Sequence, residues 1–150
     1  MRCTEDLFRL IAPTETEYYW LMNWLAVRYQ TDELSDVVVK ITGDDGGALS
    51  AILEMLLGEV FGRGINVLRL HEQQITYIAH KRRQNVIIVE QWYDEQINGI
   101  RKPIQVFNVL RCPAFTLAFI ECLHDELTAF KEFLQSYETD MTIYSTRGVA

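Results

Sequence analysis

The sequence predicts an α+β fold, a mostly antiparallel sheet of about five to six strands with three main helices packed on it. Three observations carry this expectation. Three stretches place apolar residues at three-and-four spacing, several short β-branched runs separate them, and an Asn-Gly pair marks a hairpin. The 150 residues match the common size of one domain, and no repeat, low-complexity tract or linker divides them. Residues 1–150 are therefore read as a single domain.

The first helix is expected over residues 14–29. Thr14 and Glu17 have the spacing of a capping box directly after Pro13. Tyr18, Leu21, Met22, Leu25 and Tyr29 form its apolar stripe, and Trp20, Trp24 and Val27 widen it. A stripe that wide predicts cover on more than one side. The β-branched run Val37-Val38-Val39-Lys40-Ile41 predicts a strand. Gly43-Asp44-Asp45-Gly46-Gly47 ends it, and either aspartate can cap a second helix over 47–61. Ala48, Ile52, Met55, Leu56 and Val60 form the buried stripe of that helix, and Gly62 and Gly64 stop it.

Further strands are expected over 65–70, 75–79 and 86–92, the last with an extension to Ile97. Asn98-Gly99 tolerates the positive φ of a tight turn, so a hairpin is expected to return over 104–110. The third helix, over 115–137, is the longest, with Phe119, Ile120, Leu123, Leu127, Phe130, Leu134 and Tyr137 at helical spacing. Residues 141–144 are expected to close the sheet as a short last strand.

Hydrophobic residues make up 49% of the chain, enough for a packed core. The formal charge is −7. Phosphate backbones and anionic lipid both require excess Lys and Arg, so neither nucleic acid nor a membrane is expected as a partner. A basic protein or a cation suits the charge. Cys3, Cys112 and Cys122 make an odd count without a Cys-x-x-Cys pair, which predicts neither a disulfide framework nor a zinc ribbon. The N-terminus has acids where a signal peptide needs an apolar run, and the apolar stretches are too short to span a bilayer. A cytoplasmic protein is the expectation.

No catalytic set is visible, and no cofactor is expected. His71, His80 and His124 are scattered. Cys122 and His124 stand two apart, and on a helix such positions point to different faces, so no metal site is predicted. Cys112 would need a histidine partner that spacing cannot supply. Glycines before a helix can cradle phosphate, but Asp44 and Asp45 repel it and no lysine follows. Lys81-Arg82-Arg83 reads as an exposed turn. The acids are the more informative group. Glu121, Asp125 and Glu132 are expected on one side of the third helix, opposite its apolar stripe, and Asp32, Glu33 and Asp36 form a second cluster in a loop. Such surfaces steer and dock cationic proteins.

The combination of length, −7 charge, mixed helices and strands, and the acidic segment from Glu121 to Asp140 resembles bacterial immunity proteins of contact-dependent inhibition and related polymorphic toxin systems. The resemblance implies a non-enzymatic protein that binds and neutralises a cognate toxin domain, typically a basic nuclease. It covers the whole chain in general character and carries no motif. A local resemblance lies in Val39-Lys40-Ile41-Thr42-Gly43-Asp44-Asp45-Gly46-Gly47-Ala48-Leu49 and Gly64-Ile65-Asn66-Val67, which is similar to the start of an ACT domain. It implies a small-molecule-binding regulatory module with Asp44, Gly47, Leu49 and Asn66 at the matching positions. The helix is about one turn longer than that pattern, and Gly46 stands where it has proline. The aromatic-rich first helix suits a homodimer as well as a monomer core.

Overall fold

The computed structural model of the chain describes residues 1–31, 33, 35, 37–43, 48–62, 67–70, 86–89, 104–109, 112–144 and 146. In chain order these form α1 (Arg2–Ile11), α2 (Glu15–Gln30), β1 (Val38–Gly43), α3 (Ala48–Phe61), β2 (Val67–Leu70) and β3 (Val86–Val89). They continue with β4 (Ile104–Val109), α4 (Leu117–Asp125), α5 (Leu127–Ser136) and α6 (Met141–Tyr144).

The described residues are mostly helical, and their strands form one sheet in the order β2-β3-β1-β4 with every pair parallel. This overturns the antiparallel α+β expectation. Strands β3 and β4 flank β1 on opposite sides and both run parallel to it, so they are not the two arms of a hairpin. Parallel neighbours need crossover connections rather than tight turns. The Asn98-Gly99 turn and the expected strand over 75–79 lie outside the described residues.

Strand β1 shows why the sheet is parallel. Val39, Lys40 and Ile41 are all buried, so both faces of this central strand are covered. Register places Ile41 beside Phe107 and Val39 beside Gln105. Gln105, Phe107 and Val109 are buried on that face, while Val106 and Asn108 on the other face of β4 are exposed. The alternation marks β4 as a strand with one wet face. Helix α2 covers the dry face through Trp20, whose ring lies 6.0 Å from that of Phe107.

Helix α2 is the hub. Thr14 caps it as the spacing predicts, with its hydroxyl accepting from the Glu17 N–H (3.1 Å) and bonding the Glu17 carboxylate (2.8 Å). Every residue from Trp20 to Arg28 is buried, as expected for a helix covered on several sides. Its neighbours include α5 and α6. Tyr29 meets Phe61 of α3 edge-on at 5.9 Å.

Two further elements differ from the sequence reading. Helix α1 was not foreseen, although Thr4, Leu7, Phe8 and Ile11 are buried at helical spacing. The single helix expected over 115–137 is two helices, separated at Glu126 (φ −89°, ψ 0°).

Residues 141–144 are the one-turn helix α6, not a strand. The Asp140 carboxylate accepts from the Thr142 N–H (2.9 Å) and hydroxyl (2.6 Å), which turns the backbone into a helix start. These bonds hold the Asp140 carboxyl below its ordinary value. Helix α2 secures the segment before α6. The Asn23 amide donates to the Asp140 carbonyl (3.0 Å) and its oxygen accepts from the Asp140 N–H (2.6 Å). Gln30 donates to the Leu134 and Tyr137 carbonyls, satisfying acceptors at the end of α5.

Tyr144 completes the closure. Its hydroxyl donates to the Glu33 carbonyl (2.6 Å), and its ring packs 6.2 Å from Trp24. Burial pushes the Tyr144 phenol up to about 12. A folded-state value above the ordinary one, about 10, means that this group's contribution is complete below pH ~10 and lost as pH rises through about 12. Tyr144→Phe is expected to cost about 1 kcal/mol at neutral pH and to flatten the alkaline unfolding limb in that window. Urea midpoints measured from pH 8 to 12 check this.

Candidate functional site

The acids singled out from the sequence are distributed as follows. Glu121 and Asp125 lie on α4 and Glu132 on α5, and all three are exposed. Glu121 follows Leu117 by four residues and Asp125 follows Glu121 by four, so the three form one stripe along α4. Leu117, at the head of that stripe, is 71% exposed. Glu138 and Asp140 continue the exposed acids past α5. Glu33 is exposed, with its carbonyl held by Arg28 and Tyr144, so it sits beside α6. Among the described residues no hydrogen bond joins Glu33 to α4 or α5. Asp32 and Asp36 lie outside the described residues.

Among the described residues, Glu5 and Glu15 are the acids held in ion pairs. Arg9 pairs with Glu5 (3.0 Å) and Glu15 (2.8 Å) and lies over the Tyr18 ring at 4.0 Å. Among the described residues, Glu121, Asp125 and Glu132 form no such ion pair. Lys131 is the one basic residue on α4 or α5 besides His124.

On the α1 side of α4, across the helix from the acidic stripe, an apolar cleft of about 340 Å³ lies between α1 and the start of α4. Leu7 and Leu10 form one wall, Pro113, Ala114, Phe115 and Phe119 the other, and Asp6 stands at its edge. Phe115 and Phe119 stack at 5.7 Å. Thr116 sets the start of α4, its hydroxyl accepting from the Phe119 N–H at 3.1 Å.

The opposite end of the α1–α4 contact is covalently fixed. Cys3 and Cys122 form a disulfide, with Cα atoms 6.2 Å apart across 119 residues of chain. The odd count and missing Cys-x-x-Cys pair predict no disulfide framework, and this one bridge corrects that expectation. Cys112 stays outside the disulfide. Glu126 sits next to the bridge and was not foreseen. Its Oε1 accepts from the Thr4 N–H and hydroxyl (both 2.8 Å), and its Oε2 accepts from the Cys3 N–H (3.0 Å). Met1 provides no side-chain cap for α1, so Glu126 caps that helix from the far end of the sequence. Desolvation pushes the Glu126 carboxyl up, but the bonds from Thr4 and Cys3 outweigh it and hold the group below its ordinary value.

A lowered carboxyl stabilises the fold above the ordinary glutamate range, near pH 4.3, and the contribution is lost as pH falls through the lower folded value. Glu126→Ala is expected to cost about 1–2 kcal/mol at pH 7. The gap from wild type should narrow in acid, which urea unfolding at pH 7 and at about pH 3 can measure.

The parallel sheet also bears on the glycine-rich connection from β1 to α3. In open parallel sheets, ligands bind beyond the carboxyl ends of strands. Phosphate loops of the G-x-x-x-x-G-K-[S/T] type place lysine six residues after the first glycine. Counted from Gly43, the closing triplet here is Ala48-Leu49-Ser50, with Leu49 and Ser50 buried. The pattern supplies no ammonium group at the lysine position, and residues 44–47 lie outside the described residues. Of the positions that resemble an ACT domain, Leu49 is thus a core residue of α3, and Asp44, Gly47 and Asn66 lie outside the described residues.

No protein-family model matches the chain, and the comparison with curated proteins finds no match. The fold is similar to that of the A-form apo NrS-1 C-terminal region (CTR), with a TM-score of 0.73 and 12% sequence identity. The match covers 98% of this chain and 48% of the NrS-1 chain, so this chain spans about half the length of that protein. At that identity the likeness concerns the fold alone. No helix among the described residues is long and apolar enough to cross a membrane.

Proposed function

We propose that this chain is a binding protein that engages a basic protein domain through the acids of α4 and α5. It acts by occupying that partner and performs no catalysis of its own. The observation that carries the reading is the exposure of Glu121, Asp125 and Glu132 without a described cation to neutralise them. Leu117, exposed at the head of the same stripe, supports it, because protein interfaces combine an apolar anchor with a polar rim. Immunity-type neutralisation of a nuclease-like toxin in the cytoplasm is the specific form of this proposal, since such a domain offers a basic cleft to block.

The test is capture on the tagged protein at low salt, wild type beside a Glu121→Lys, Asp125→Lys, Glu132→Lys variant. The reading expects one stoichiometric basic protein on wild type alone, released by salt, whose activity the wild-type protein inhibits. Equal capture by both forms removes this surface from the account.

A further inference from the structure

We infer that the reduced protein binds a thiophilic divalent cation, of the zinc class, through Cys3 Sγ, Cys122 Sγ and Glu126 Oε2. These three donors lie within 4.8 Å of one another. Donors to a tetrahedral zinc ion sit roughly 3.3–3.8 Å apart, about 1.6 times the metal–ligand distance, so side-chain rotations that part the two sulfurs and draw in the carboxylate suffice. The backbone already holds them together. Cys122 and Glu126 stand four apart at the α4–α5 junction, and Cys3 is brought to them by the capping bonds from α1 to Glu126, which do not depend on the disulfide.

The carboxylate has capacity for a metal. Oε1 accepts two hydrogen bonds, from the Thr4 N–H and hydroxyl, while Oε2 accepts one, from the Cys3 N–H. Oε2 retains a lone pair on the side of Cys122 Sγ, which is 3.3 Å away. Cys3 lies in the first turn of α1, where the helix dipole favours a thiolate. Two thiolates beside a carboxylate repel one another, and a divalent cation relieves that repulsion. A pair of cysteines that forms a disulfide in an oxidising compartment is, in a reducing one, more apt to hold metal.

Three protein donors leave one position of a tetrahedral zinc site for water. Binding releases one proton from each thiol. Oxidation by a disulfide such as oxidised glutathione reverses it. Two electrons leave the sulfurs, the Cys3–Cys122 bond forms, the glutathione disulfide is cleaved to two thiols with uptake of two protons, and the metal departs. The two states are therefore mutually exclusive.

Cobalt(II) titration of the protein, reduced and desalted without oxygen, tests the inference. The expected result is uptake of one equivalent with a sulfur-to-cobalt charge-transfer band, displaced by zinc. The same wild-type protein in its disulfide form should show no band, a control that needs no substitution. Cys3→Ser and Cys122→Ser should abolish the band, and Glu126→Gln should weaken binding about tenfold or more. Cys112→Ser should leave it unchanged. Absence of the band in reduced wild type, its presence in the disulfide form, or its loss in Cys112→Ser would overturn the assignment.

Discussion

Reduction of the Cys3–Cys122 disulfide is expected to destabilise the protein by ~2–4 kcal/mol and to lower the thermal midpoint by roughly 5–15 °C. The bridge closes a loop with a sequence separation of 119, so it restricts most of the unfolded chain. It also ties α1 to α4. Helix α1 is otherwise held by its buried Leu7, Phe8 and Ile11, with the Phe8 ring 5.4 Å from Phe130, by Arg9 against Glu15 and Tyr18, and by the Glu126 cap. Once the bridge opens, these contacts alone hold that helix in place. Hydrogen exchange should therefore show α1 losing protection before α2. Thermal melts with and without a metal-free reductant give the size of the effect, and Cys3→Ser should reproduce the reduced value. A midpoint unchanged by reduction would mean that α1 is held equally well by packing.

Reversing the charges of Glu121, Asp125 and Glu132 together is expected to slow association with the basic partner by ~10 to 10³-fold at low ionic strength. It should also flatten the dependence of affinity on salt. The three carboxylates are exposed, so they act mainly by steering the encounter, and their effect falls away as salt shortens the Debye length. The fold should tolerate the change. None of the three side chains forms a described ion pair, and the buried stripe of these helices, Leu123, Phe130 and Leu134, is on their other side. Stability within about 0.5 kcal/mol of wild type is expected. A loss of binding can thus be separated from a loss of structure.

The elements that announced themselves in the sequence are those whose signals are local. Thr14 and Glu17 cap α2 from within four residues, and the stripe from Tyr18 to Tyr29 has the period of a helix. Helix α1 carries the same periodicity at Thr4, Leu7, Phe8 and Ile11, but its cap is Glu126, distant in sequence and invisible to any local rule. The disulfide is hidden for a related reason, since three cysteines leave the pairing undetermined.

The sheet direction has one trace in the sequence. Val86-Ile87-Ile88-Val89 is an unbroken β-branched run, the mark of a strand buried on both faces in a parallel sheet. The Asn98-Gly99 pair, a strong hairpin signal, outweighed it. Residues 141–144 are too short for periodicity to decide, and the Asp140 bonds to Thr142 settle them as a helix. The exposure of the acids followed from placing the apolar stripe correctly. The cleft between α1 and α4 depends on how α1 packs, and so could not be foreseen without that helix.

The central claim is that the exposed acids of α4 and α5 form the binding surface. The most direct measurement is calorimetric titration of the captured partner with wild-type protein and with the triple charge-reversal variant, across a series of salt concentrations. The account predicts wild-type affinity that falls steeply with salt and variant affinity that is weaker and nearly flat. Two curves of equal affinity and equal slope would contradict it and place the interface elsewhere on the molecule.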